Sequence, residues 1–252
     1  MKITAILIDD ERKSLLTLKE KIERSHPNID IIKAAQEPYV GLNSINTLQP
    51  DLVFLDIAMP QMNGFELLSK VNNPSFELIF TTAFDQYAIE AINLCAIGYL
   101  LKPIDNTALR AAIKRAEANI MEKSAYVKNR LLIENLSLSN LSNKKMMVSV
   151  QDGFELVNIK DIIHCEGVNG YTRLHIQGRK SILSSNSIGF FEKNLSPYFR
   201  MCMVHKSHLI NIDFIEKYLN EGYLKLINKD KIPVSKSRKH ILFEALNRAN
   251  NN

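Results

Sequence analysis

The chain has 252 residues, 46% apolar and 23% charged, an ordinary globular composition with length enough for two separately cored domains. No apolar run approaches the roughly 20 residues of a membrane span, and carboxylates in the opening MKITAILIDDE stand where a signal peptide carries its cleavage region, so a cytoplasmic protein with no membrane partner is expected. The net charge of +5 is unevenly divided: residues 1–120 hold 12 Lys and Arg against 15 Asp and Glu, whereas residues 144–252 hold 17 against 10, which makes the back half the candidate for nucleic acid or another anionic surface.

In the first 120 residues short apolar runs alternate with helix-like segments. ITAILI, IDIIKAA, DLVFLD, ELIFTT and GYLLKP are five strand candidates. Between them ERKSLLTLKEKIERS places Leu15, Leu18 and Ile22 on one helical face, GFELLSKV and QYAIEAINLCA behave likewise, and NTALRAAIKRAEANIMEK closes the series. This alternation predicts a doubly wound α/β domain, a parallel sheet covered by helices on both faces. Residues 121–143, rich in Asn, Ser and Leu, read as a helical extension fading into a linker. From 144 to 252 the chain is mainly β: MMVSV, FELVNI, IIHCEG, TRLHI, KSILS, YLKLI and KIPVS, punctuated by turns at QDGF, VNGY, QGRK, NEGY and NKDK. No internal repeat stands out. Cys95, Cys165 and Cys202 share no metal or CxxC spacing and read as buried free thiols in a reducing compartment.

Ligands of an open parallel sheet gather beyond the carboxyl ends of its strands. There the predicted strands end at Asp9-Asp10, Asp56, Thr81-Thr82 and Lys102. Singly, Asp10 could cap the following helix, Asp56 could serve a turn and Lys102 could be a surface lysine. Jointly, three carboxylates on one rim repel unless a divalent cation screens them, and an all-oxygen set suits Mg2+. Asp56, rigid beside Mg2+ and a lysine, then reads as a nucleophile for phosphoryl transfer, with the Lys102 ammonium and Thr82 hydroxyl at the phosphoryl oxygens. MPQMNG supplies a sharp loop in which Pro60 bars further strand and Gly64 is expected to adopt a backbone shape that other residues resist.

LIDDE, FLDIAMPQMNG, TTAF and GYLLKP together resemble the receiver domain of two-component response regulators. The resemblance spans residues 1–120 and implies a flavodoxin-like five-stranded fold. By position it implies Asp9 and Asp10 as the acidic pair, Asp56 as phosphoacceptor, Thr82 and Tyr99 as switch residues, Lys102 as the phosphate-sensing lysine, the Ala58 carbonyl as a further Mg2+ ligand and a cis Lys102-Pro103 bond. A sensor histidine kinase is the implied partner. Phosphorylation would draw Thr82 and Tyr99 inward and alter the surface made by residues 86–96, the last strand and the helix after it.

The back half carries FRMCMVHKSHLINIDFI and IPVSKSRK, which are similar to the LytTR DNA-binding domain over roughly residues 144–245. Small hydroxyls interleaved with Lys and Arg suit phosphate contacts. The resemblance implies an elongated, mainly β domain whose loops enter successive major grooves of promoter DNA, at direct repeats, as a homodimer. Carried over, the DNA contacts are Asn169, His205, Lys206, Lys236, Arg238 and Lys239, with Ser207 and Asn211 bracing the loop. Lys206 stands where the family commonly has Arg. The segment around Asn169 reads equally well as a plain hairpin turn. His164, His175, His205 and His208 show no HxxxH or Cys-His spacing, so zinc is not expected.

Two rivals remain. A phosphatase using an aspartyl-phosphate intermediate needs an Asp-x-Asp motif, and this chain has DIA there, so a dedicated enzyme is not expected. A phospho-switched module binding protein or RNA through its back half would lack an aromatic stacking platform, since the chain has no Trp.

Overall fold

The computed structural model describes residues 2–83, 95, 97–138, 143–196 and 200–250. Its contacts divide the chain into two compact units, residues 1–137 and 138–252.

In the first unit, strands β1 (Ile3–Ile8), β2 (Ile29–Ala35), β3 (Leu52–Asp56), β4 (Glu77–Thr82) and β5 (Gly98–Leu101) form one parallel sheet in the order β2-β1-β3-β4-β5. Every residue of β3 and β4 is buried, the pattern of strands covered on both faces. The chain winds outward from β1 to β2 and then crosses to β3, so the sheet reverses direction between β1 and β3. That places a crevice beyond their carboxyl ends.

Helix α1 (Arg12–Ser25) turns Leu15, Leu18 and Ile22 inward as its spacing predicts, against a core of Ile3, Ala5, Leu7 and Phe54. Helix α4 (Asn106–Glu122), capped by the Asp105 carboxylate on Thr107 and Ala108 N–H, adds Leu109, Ile113 and Ala116 to the same core. On the opposite side, α2 (Pro38–Leu48) is a helix the sequence reading did not pick out. Its buried residues are Pro38, Gly41, Ser44 and Ile45, of which Ile45 alone is a large aliphatic side chain, so the helix gives little hydrophobic periodicity. Gly41 lies so close to β1 that a Cβ would meet Ile8 Cδ1 at 2.7 Å. Helix α3 (Gly64–Ser69) begins in a reciprocal capping box between Asn63 and Glu66.

Helix α5 (Ala125–Ser137) belongs to this unit and buries polar Lys128, Asn129 and Asn135 beside Leu131 and Leu132. Lys128 Nζ lies 3.3 Å from Glu77 Oε1, both nearly inaccessible, and Asn129 Nδ2 donates to the carbonyls of Pro74 and Phe76. Asn119 Nδ2 donates to the other Glu77 oxygen at 3.0 Å. The helix expected over QYAIEAINLCA falls outside the described residues apart from Cys95, which is buried.

The second unit is mainly β. Strands β6 (Lys145–Val150) and β7 (Gly153–Asn158) form a two-stranded sheet. Strands β8 (Ile162–Val168), β9 (Tyr171–Ile176), β10 (Ile182–Ser184), β11 (Met201–His205) and β12 (His208–Asn211) make an antiparallel sheet in the order β10-β9-β8-β12-β11. Strands β13 (Ile215–Leu219), β14 (Tyr223–Leu226) and β15 (Lys231–Pro233) make a third sheet. Two helices were not anticipated: α6 (Ile188–Leu195), which buries Phe191 and Leu195, and α7 (Lys239–Asn250), whose Leu242 joins a core with Val204, Ile210, Leu224 and Ile232. The five predicted turns all contain a residue with positive φ, including Asn169 at 49° and Gly170 at 88° between β8 and β9, the conformation a two-residue hairpin turn requires.

Candidate functional site: an acidic rim and a basic sheet end

At the crevice, β1 delivers Asp9 and Asp10, β3 delivers Asp56 and the chain leaving β5 delivers Lys102. Lys102 Nζ sits 2.6 Å from Asp56 Oδ2 and 2.9 Å from Asp9 Oδ2. The remaining oxygens of both acids are also occupied: Asp56 Oδ1 accepts from Ala58 N–H at 3.1 Å, and Asp9 Oδ1 from Glu11 N–H at 3.0 Å. Asp56 therefore does serve the turn that follows it, while acting in the rim at the same time. The helix cap falls to Glu11, whose carboxylate accepts from Ser14 Oγ and not from a backbone N–H of the first turn, rather than to Asp10.

One carboxylate oxygen from each of Asp9, Asp10 and Asp56 lies within 4.8 Å of the others. Burial pushes the Asp9 pKa up and Asp56 adds to this, with Lys102 pulling the other way; the net is a rise. Burial works against the Lys102 ammonium, but its hydrogen bonds to Asp56 and Asp9 outweigh that and raise its pKa. The rim thus carries more negative charge than its one lysine neutralises. Three hard oxygen donors at this separation fit a small divalent cation, which favours Mg2+ over soft metals.

The loop after Asp56 follows its sequence with one correction. Gly64 is not in a left-handed conformation; the positive φ, 67°, belongs to Gln61. Gly64 is required for space, since a Cβ there would lie 2.4 Å from the Asp56 carbonyl oxygen. Thr82 is fully buried at the end of β4, and Lys102 N–H donates to its carbonyl at 2.8 Å. Tyr99 is half-buried and pairs across the sheet with Phe80. The Lys102-Pro103 bond is cis.

In the second unit, the candidate contacts are drawn from three separate segments to one end of the five-stranded sheet. The β8–β9 turn carries exposed Asn169, and the adjacent β11–β12 turn carries exposed Lys206. Gly167 N–H donates to the Ser207 carbonyl at 2.8 Å, tying these two turns together, and Ser235 N–H donates to the Val204 carbonyl at 2.9 Å, bringing Lys236, Arg238 and Lys239 alongside. His205 Nδ1 and Ser207 Oγ are 2.9 Å apart, and Asn211 Oδ1 accepts from Asp213 N–H, so both polar residues do brace their loops. Arg238 differs from its neighbours: it is half-buried and reaches the Met203 carbonyl at 3.3 Å and Glu192 at 3.4 Å. Lys239 is exposed and lies 5.5 Å from the centre of the Tyr218 ring.

The sheet order and the acidic crevice define a receiver fold, followed by an antiparallel, mainly β domain with a cationic end. The response regulator receiver domain family matches residues 5–114, and the LytTr DNA-binding domain family matches residues 152–247. Sensory transduction protein LytT of Bacillus cereus is 30% identical over 243 residues, covering 93% of this chain and 95% of that protein. An uncharacterized response regulatory protein of Vibrio parahaemolyticus is 29% identical over 249 residues, covering 97% of this chain and 98% of that protein. The receiver domain of AraT, a response regulator from Geobacillus stearothermophilus, is similar at 27% identity over 49% of this chain and 99% of its own, with a TM-score of 0.44. The chain belongs to the two-component response regulators that join a receiver domain to a LytTR DNA-binding domain. No helix among the described residues is long and apolar enough to cross a membrane.

Proposed function

We propose that this protein is switched by phosphorylation of Asp56 and acts on transcription in the cytoplasm. A carboxylate oxygen of Asp56 attacks the phosphorus of a phosphohistidine on a sensor histidine kinase; the new O–P bond forms as the P–N bond breaks, and the departing imidazole takes up a proton. Asp9, Asp10, Asp56 and the Ala58 carbonyl would hold Mg2+, which when bound supplies charge neutralisation for the phosphoryl oxygens. Lys102 keeps a cation at the same point, and the Thr82 hydroxyl donates to a phosphoryl oxygen, with Tyr99 following it inward. The observation that carries the reading is the Lys102 ammonium bridging Asp56 and Asp9 at 2.6 and 2.9 Å, beside Asp10, at the sheet's reversal point.

The functional division is a receiver over 1–120, a connecting segment over 121–143 and a DNA-binding domain over 144–252. Asn169, His205, Lys206, Lys236 and Lys239 approach DNA as a cluster. Arg238 does so as well, or holds the cluster together through Glu192 and Met203. Phosphorylated protomers pair, which raises affinity for repeated sites through effective concentration. The chain is a switch and not a dedicated enzyme. The test is intact-mass measurement after incubation with acetyl phosphate and Mg2+. One added phosphoryl group is expected in wild type and none in Asp56→Asn; equal labelling of the two refutes the assignment.

A further inference from the structure

A second cluster of ligand-bearing side chains lies in the DNA-binding unit, on the face of the five-stranded sheet turned toward the third sheet. β8 contributes His164 and Glu166, β9 contributes His175, and the turn between β14 and β15 contributes Asp230. His164 and His175 are direct cross-strand partners, and the register of this strand pair shifts between Ile162 and His164. Irregularities of this kind re-aim side chains next to sites. His164 Nε2 is 2.8 Å from Asp230 Oδ2, His175 Nδ1 is 3.5 Å from the same oxygen, and one ligand atom from each of the three residues lies within 4.8 Å of the others. Atoms bound to one tetrahedral zinc ion sit about 3.3 Å apart.

A hydrogen bond from His164 to Asp230 accounts for the first distance only. It gives no reason for His175. That ring presents Nδ1 toward Asp230 and Nε2 toward Glu166 Oε2 at 3.4 Å, while Glu166 is itself 3.6 Å from Arg173. A carboxylate behind a histidine whose other nitrogen faces the shared centre is the arrangement that fixes ligating imidazoles at metal sites.

We propose that His164, His175 and Asp230 form a binding site for a divalent transition metal of the zinc class, with Glu166 orienting His175 from behind. Two imidazoles and one carboxylate suit such an ion and not Mg2+ or Ca2+, which take oxygen sets. The two imidazoles stack at 3.9 Å with 12° between their planes, so binding turns His175 out of the stack. Its side chain is 23% exposed and Asp230 39% exposed, which leaves room for that turn and a path for the ion. The bound metal would pin the 228–230 turn to the sheet whose end carries Lys206. The site was not legible in residue spacing because His164 and Asp230 are 66 residues apart.

The experiment is competition between untagged, metal-free full-length protein and a chromophoric zinc chelator, with Mg2+ in excess to hold the acidic rim. One equivalent of Zn2+ is expected to bind, with the imidazole proton resonances of His164 and His175 shifting together. His175→Ala and Asp230→Asn, both at accessible positions, should each weaken binding more than tenfold, and Glu166→Gln by a smaller factor. Failure of wild type to compete for an equivalent of Zn2+, binding that moves other histidine resonances instead, or unchanged affinity in His175→Ala and Asp230→Asn would each overturn the proposal. The wild-type measurements decide the matter even if a variant folds poorly.

Discussion

Replacing Lys128 by Met tests how the helix following the receiver is held. The substitution keeps the buried aliphatic stem and removes the ammonium, leaving the Glu77 carboxylate 4% exposed with the Asn119 amide still donating to it. Breaking one side of a buried ion pair costs about 3–5 kcal/mol, because the partner charge is stranded, and the surviving Asn119 bond favours the lower end, about 3 kcal/mol. The double variant Glu77→Gln with Lys128→Met strands no charge and keeps an acceptor for Asn119, so it should lose only about 1 kcal/mol. Because two units unfold in this chain, a single global unfolding curve is a poor readout. Amide hydrogen exchange over residues 76–82 and 125–137 reports the local opening directly, and a loss of about 3 kcal/mol appears as roughly hundredfold faster exchange in the single variant. Exchange within threefold of wild type, or a double variant as labile as the single one, would refute the argument that the ion pair holds this helix in place.

Gly64→Ala should abolish labelling of Asp56 by acetyl phosphate while the second unit folds normally, since the new methyl must displace the Asp56 backbone carbonyl from 2.4 Å; a variant labelled at the wild-type rate would show that the loop yields. Burial holds the His164 pKa down to about 4 from 6.5. A depressed pKa means the folded state binds fewer protons than the unfolded one. His164 therefore contributes stability that is complete above pH 6.5 and is lost as pH falls toward 4, on the order of 2 kcal/mol by pH 5. Urea midpoints of the second unit in the presence of a metal chelator should fall over this range in wild type and fall less in His164→Asn. Lys206→Ala should lower the slope of log affinity against log salt by about 0.9 on any duplex tested; an unchanged slope would remove Lys206 from the phosphate contacts.

The parts of the fold visible in the sequence are those whose physics is local. β1 to β5 are short apolar runs ending in polar residues, and Leu15, Leu18 and Ile22 keep helical spacing, so both were readable. The acidic rim was readable too, because the rule that ligands collect at strand carboxyl ends turns four separated motifs into one place. What escaped notice depends on how a surface is covered. α2 meets β1 through Gly41 with Ser44 also buried, so it shows no apolar stripe; a helical extension after residue 120 was read, but not that it buries Lys128, Asn129 and Asn135 among Leu131 and Leu132 on the receiver. The role of Gly64 was misassigned because a glycine needed for closeness and one needed for positive φ look alike in a sequence. The meeting of Asn169, Lys206 and the segment after Ser235 rests on strand order, and no spacing rule encodes that.

The attachment of α5 bears on how the molecule could be taken apart. A hybrid regulator cut at residue 114 or 120, where sequence similarity to receivers ends, would discard Lys128 and Asn129, taking the ammonium from Glu77 and the amide donor from the carbonyls of Pro74 and Phe76. A splice just beyond Ser137 keeps that seam closed. Transplanted sensory halves built with the longer boundary should express as well-behaved proteins, and those trimmed at the shorter one should clump.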